Sequence, residues 1–112
     1  MIGNFRKVLL AVLFIAAASL SLSAQQTAKV TVSVKNHRFQ PAEIHAPANV
    51  PIELHVKNLD SAPMEFESVS LRVEKVVTGN GEGIIRLRPL TPGRYEFFDD
   101  FHQETRGALV AK

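Results

Sequence analysis

Between Lys29 and Lys35 the chain alternates, with Val30, Val32 and Val34 on one side and Thr31 and Ser33 on the other. A period of two over this length predicts a half-buried strand. The pattern returns over 51–58, where Ile52, Leu54 and Val56 alternate with Glu53, His55 and Lys57. Further extended segments are predicted at 43–45, at 65–69 around Phe66, at 71–77, at 84–90 and at 95–98. A last strand is predicted over 108–111, opened by Gly107. Turn signals lie between them. They are the cluster from Pro47 to Pro51, the loop 58–63, the Gly-rich run 78–83 (read as a flexible turn) and Thr91-Pro92-Gly93. No helical period competes. About seven or eight short strands with regular turns predict an all-β sandwich or barrel. Greek-key connections would give the first and last strands the neighbours that hide their edges.

The first 24 residues follow another pattern. Arg6 and Lys7 precede an apolar run from Val8 to Leu20, and Ser21-Leu22-Ser23-Ala24 supplies small residues before Gln25. This is the layout of a secretory signal peptide. The run falls short of the ~20 residues that span a bilayer, so cleavage after Ala24 is expected rather than retention as an anchor. The expected location is extracytoplasmic, most simply the periplasm, with no stable membrane insertion after cleavage. The remainder, 25–112, is one small domain by length. Losing Arg6 and Lys7 lowers the thirteen cationic residues to eleven, against eleven acids, so the formal charge of +2 falls to zero. No basic run remains, and nothing points to nucleic acid. The chain has no cysteine. That excludes a disulfide, a thiolate ligand, a Cys nucleophile and an iron–sulfur cluster. A secreted domain this small then relies on close packing, on a metal, or on both.

The densest chemistry lies from Gly93 to Gly107. An aromatic strand with Tyr95, Phe97 and Phe98 runs into Asp99 and Asp100, and His102 follows. A tight loop between two strands can turn Asp99 and His102 toward one point. A carboxylate oxygen and an imidazole nitrogen suit iron or copper. The same residues also suit a polar loop whose acids cap turns and whose His is exposed. Glu65 and Glu67 share a face if their segment is a strand; they form either a second ion site or a solvated face. Glu74-Lys75 reads as a surface ion pair of small worth. His37, His45 and His55 are expected at the surface. Phe97, Phe98 and Phe101 read as core, or as a wall keeping water from a metal. No Ser–His–acid set or zinc-protease helix motif is present, which argues against hydrolytic catalysis.

Three segments carry a specific resemblance: Glu65-Phe66-Glu67-Ser68, Glu74-Lys75-Val76-Val77 and Phe97-Phe98-Asp99-Asp100-Phe101-His102. With Phe39-x-Pro41-x-Glu43-Ile44 and Ala48-Asn49-Val50-Pro51, they make 25–112 resemble a cupredoxin, and more narrowly an EfeO-type cupredoxin-like domain. The resemblance implies a cupredoxin-like Greek-key β-sandwich. His102 matches the family's C-terminal His, Asp99 stands where that family has Cys, and Met64 stands where its other His is expected. Thr105-Arg106 replace the usual Met at the end of the loop. A blue, type 1 copper site needs the thiolate, so none is expected. The implied metal set is Met64, Asp99 and His102, with Glu65, Glu67, Asp100 and Glu104 nearby in sequence and Asp99 and His102 as the reactive pair. Copper and/or iron is the implied cofactor. A stand-alone secreted form resembles the small periplasmic cupredoxin of Ftr-type ferrous-iron uptake systems. That implies a possible ferroxidase whose partners are a periplasmic iron-binding protein and an inner-membrane iron permease. A copper or iron carrier without redox turnover and a metal-free interaction module are the alternatives.

Overall fold

The computed structural model describes residues 26–112. The leader expected over 1–24 and its cleavage after Ala24 lie outside them. Nine strands form in order: β1 (Ala28–Lys35), β2 (Arg38–Gln40), β3 (Glu43–Ala46), β4 (Ile52–Asn58), β5 (Met64–Ser68), β6 (Val73–Val77), β7 (Glu82–Leu87), β8 (Gly93–Asp99) and β9 (His102–Ala111). Among the described residues no helix forms. The strands make two sheets, ordered β2-β1-β4-β7 and β3-β9-β8-β5-β6. The chain crosses repeatedly between them, as a Greek key requires. The first strand lies between β2 and β4, and the last between β3 and β8. Both are inner strands, as expected from the need to cover their edges.

The alternating segments behave as their periodicity dictates. In β4 the residues Ile52, Leu54 and Val56 are buried while Glu53, His55 and Lys57 face outward. In β5 Met64, Phe66 and Ser68 face the core, and Glu65 and Glu67 face out. Phe39, Phe66 and Phe97 meet between the sheets. Phe97 stacks on Phe66 and takes Phe39 edge-on, both at 4.8 Å between centroids, the offset and T-shaped geometries that aromatic quadrupoles favour. β9 passes close over this cluster at Gly107. A Cβ there would lie 2.5 Å from the Phe97 ring and 2.8 Å from the Ala42 carbonyl oxygen.

Several boundaries differ from the expectation. β9 begins at His102, not at 108, so the expected loop is a tight hairpin turn at Asp100-Phe101 followed by a long strand. β9 pairs with β8 at Arg106 (opposite Phe98) and again at His102 (opposite Asp99), with a bulge over 103–105 between them. The strand expected at 71–77 begins at Val73, because Arg72 takes a positive φ of 57° and closes a turn. The run 78–83 is tied down: Asn58 N–H donates to Gly81, Asn80 N–H donates to Asp60, and Gly79 packs on the Ser61 carbonyl. Of the three aromatic residues assigned to core or wall, only Phe97 is core. Phe98 lies on the outer face under the Arg106 guanidinium, and Phe101 is exposed at the hairpin tip. Glu74 does not pair with Lys75; adjacent strand residues point to opposite faces, and Glu74 lies opposite Glu67.

Candidate metal centres

Asp99 is the one fully buried acid among the described residues. It ends β8, where the hairpin begins. One carboxylate oxygen accepts the Glu65 N–H at 3.0 Å and the Phe101 N–H at 3.0 Å. The other lies 3.0 Å from His102 Nδ1. A carboxylate oxygen accepts, so Nδ1 carries the proton, and in the neutral ring Nε2 keeps its lone pair. Asp99 thus fastens the start of β5 to the β8–β9 hairpin and sets the His102 tautomer, the positioning role that a carboxylate plays behind a metal-binding imidazole. The turns holding Met64 and His102 therefore lie at the same end of the sandwich. Met64 itself sits in the core, 2% exposed.

The five residues expected to surround metal do not make one pocket. Met64 and Asp99 face inward; Glu65 and Glu67, on the same β5 as Met64, face outward. The period of two along a strand forces this division. On the outer face Glu65 and Glu67 are joined by Asp100 from the hairpin, and one ligand oxygen from each lies within 4.8 Å of the others. Glu74, opposite Glu67 on β6, adds a fourth carboxyl. The crowding is electrostatically costly. A hydrogen bond with Glu74, partial burial and the charge of Asp100 push the Glu67 pKa up to about 7. Partial burial and the charges of Glu74 and Asp100 raise that of Glu65. Like charges in one site resist joint ionisation, and a bound cation relieves that conflict. Periodicity places Glu65 and Glu67 together; Asp100, near them in the implied set, reaches their face through the β8–β9 hairpin.

His37 lies against the His102 ring, with centroids 4.1 Å apart. It was expected simply to be exposed, and its side chain is 49% exposed. Its contact with His102 had no sequence signal beyond the two-residue hairpin spacing Lys35-Asn36-His37-Arg38. His55 is held between Glu53 at Nε2 and Glu82 at Nδ1, both at 2.8 Å. Those contacts raise the His55 pKa and lower that of Glu53.

A type 1 copper ion takes a thiolate and two imidazoles. The donor set here does not fit it. Asp99 is a carboxylate closed by three hydrogen bonds, and no thiolate exists anywhere in the chain. The chemistry of the outer set is instead that of hard oxygen ligands.

A model of the cupredoxin-like domain matches residues 7–111. An uncharacterized protein of Rickettsia prowazekii (strain Madrid E) is 42% identical over 82 residues, 73% of this chain and 66% of that protein. The chain therefore spans just under two thirds of that relative. Among solved structures, auracyanin A, a blue copper protein from Chloroflexus aurantiacus, superposes with a TM-score of 0.65 at 10% identity, covering 78% of this chain and all of that one (100%). The metal-binding domain of the Cu(I)-exporting P-type ATPase CopA of Streptococcus pneumoniae gives 0.64 at 16%, covering 80% and 99%. A purple cupredoxin from Nitrosopumilus maritimus gives 0.56 at 15%, covering 76% and 99%. At these identities the three establish a shared sandwich.

Proposed function

The chain belongs to the family of cupredoxin-like domains, and on that premise we propose that it is a periplasmic metal-binding protein of ferrous-iron uptake. Iron is its substrate, held at Glu65, Glu67 and Asp100, and it leaves as Fe(III) for an inner-membrane iron permease, with a periplasmic iron-binding protein as companion. The observation that carries the reading is the convergence of three carboxylates on one face, with Glu67 held near neutrality by its neighbours. Carboxylate oxygens are hard ligands. They hold Fe(III) more tightly than Fe(II), so binding lowers the reduction potential and favours loss of one electron from each Fe(II). The electron passes to dioxygen or to another external acceptor. The resemblance to EfeO-type domains and to Ftr-associated cupredoxins supports the iron assignment, since its Glu65–Ser68 and Phe97–His102 segments supply all three acids.

A carrier that binds iron without turnover is the second reading. The closed Asp99 carboxylate favours it, because the position that carries a redox-active copper thiolate in type 1 cupredoxins is occupied by an internal hydrogen-bond acceptor. Fe(II) loss in air, followed with a ferrous chelator, and anaerobic Fe(II) binding separate the readings. Accelerated oxidation that falls at least tenfold in Glu67→Gln and Asp100→Asn supports oxidation. Stoichiometric binding without acceleration supports carriage. No iron bound at micromolar concentration would refute both and leave a metal-free interaction module.

A further inference from the structure

His37 occupies a backbone position that disfavours it. Asn36 and His37 form the two-residue connection between β1 and β2, and both have positive φ, 52° and 58°. A hairpin of this kind ordinarily takes Asn-Gly, because a Cβ at the second position is strained. The strained turn is nevertheless fixed by three hydrogen bonds to two residues. The Asp60 carboxylate accepts the Asn36 N–H at 2.7 Å and the His37 N–H at 3.0 Å. The buried Thr105 hydroxyl, three residues along β9 from His102, donates to the His37 carbonyl at 2.6 Å. The result sets the His37 imidazole beside that of His102, tilted by 36° at 4.1 Å.

Each ring also has a carboxylate on its Nδ1 side. Asp99 lies at 3.0 Å from His102 and Asp60 at 4.0 Å from His37. Both carboxylates are held by backbone N–H groups. The Asp99 hydrogen bond keeps the proton on His102 Nδ1 and directs its Nε2 outward as the ligand, while Asp60, beyond hydrogen-bond distance, places a negative charge beside His37. Two imidazoles bound at ~2.0 Å and roughly 90° to one another place their centroids about 4.5 Å apart. The observed separation is within a few tenths of an ångström of that.

We propose that His37 and His102 form a second metal site, distinct from the outer acidic set, that takes a Cu(II) ion through two imidazole nitrogens. Imidazole pairs suit several divalent metals, and Cu(II) binds most tightly along the divalent series. Asp60 and Asp99 are positioning residues here, and Thr105 fixes the His37 backbone. The site needs no thiolate: Asp99 orients His102 instead of binding the ion.

The test is electron paramagnetic resonance of the purified protein with one equivalent of Cu(II). The expected signal is an axial, non-blue copper spectrum with hyperfine splitting from two nitrogens. His37→Gly suits the positive φ and keeps the fold, so it should remove one nitrogen and weaken copper at least tenfold. His102→Gln should do the same, and His45→Gln should change nothing. The Glu65→Gln/Glu67→Gln double variant should keep the two-nitrogen pattern while losing iron, and His37→Gly should keep iron, so the two sites fail separately. An unchanged nitrogen pattern in His37→Gly, copper bound by oxygens alone, or no copper bound at tens of micromolar would overturn the proposal.

Discussion

Replacing Asp99 with Ala removes the acceptor that joins β5 to the β8–β9 hairpin. The Glu65 and Phe101 N–H groups lose their partner, and His102 loses the group that orients its ring. Leaving a donor without a partner costs about 1–3 kcal/mol, and bonds to a charged acceptor lie toward the upper end. Two stranded N–H groups and a small cavity therefore give a loss of roughly 4 kcal/mol. Against a domain stability of about 5–15 kcal/mol, the variant should fold only marginally. Asp99→Asn keeps one oxygen facing the two N–H groups, so its loss should be nearer ~1 kcal/mol. Its amide would donate to His102 Nδ1, which moves the ring proton to Nε2 and blocks that nitrogen as a ligand. Urea unfolding should show the midpoint falling sharply in Asp99→Ala and slightly in Asp99→Asn, with unchanged slope. Nitrogen-15 shifts of His102 would report the tautomer. An Asp99→Ala loss below ~1 kcal/mol would refute the clasp, and an unchanged tautomer in Asp99→Asn would refute the positioning role.

Further outcomes follow from the same contacts. Gly107→Ala drives a Cβ into the Phe97 ring and the Ala42 carbonyl, and thermal unfolding should register a loss of ~1–3 kcal/mol. His55 has its folded pKa raised above 6.5 by Glu53 and Glu82. Its contribution is complete below that unfolded value and fades as pH rises through the folded one, so the Tm gap between the protein and His55→Gln should narrow as pH is raised above 6.5. Because the Glu67 pKa is raised from 4.5 to about 7, the metal-free protein loses stability as pH rises across that interval. Anaerobic Fe(II) affinity should climb through the same interval as the competing proton leaves, and Glu67→Gln should flatten that climb in isothermal titration.

What could be read from the sequence was set by periodicity. The strands around Val32, Leu54 and Phe66 bury one face, and their alternation gave both their existence and their orientation, including the shared face of Glu65 and Glu67. The polar half of β9 reads as a loop in the sequence because Gln103, Glu104 and Arg106 are exposed and carry no apolar alternation, while the strand there includes a bulge. Asp100 stands near Glu65 and Glu67 in the implied set, but only the hairpin puts it on their outer face. Asp99 was read as a ligand because its place in the motif is that of Cys; its hydrogen bonds to Glu65 and Phe101 depend on strand pairing. The His37–His102 contact joins residues on different sheets, and no local pattern encodes it.

The central claim is that the iron chemistry of this chain lies on the outer acids and not at the buried Asp99 carboxylate. Anomalous diffraction at the iron edge from crystals soaked with iron tests it directly. The account predicts a peak among Glu65, Glu67 and Asp100 with the Asp99 hydrogen bonds intact. A peak bounded by Met64, Asp99 and His102, with those bonds broken, would contradict it.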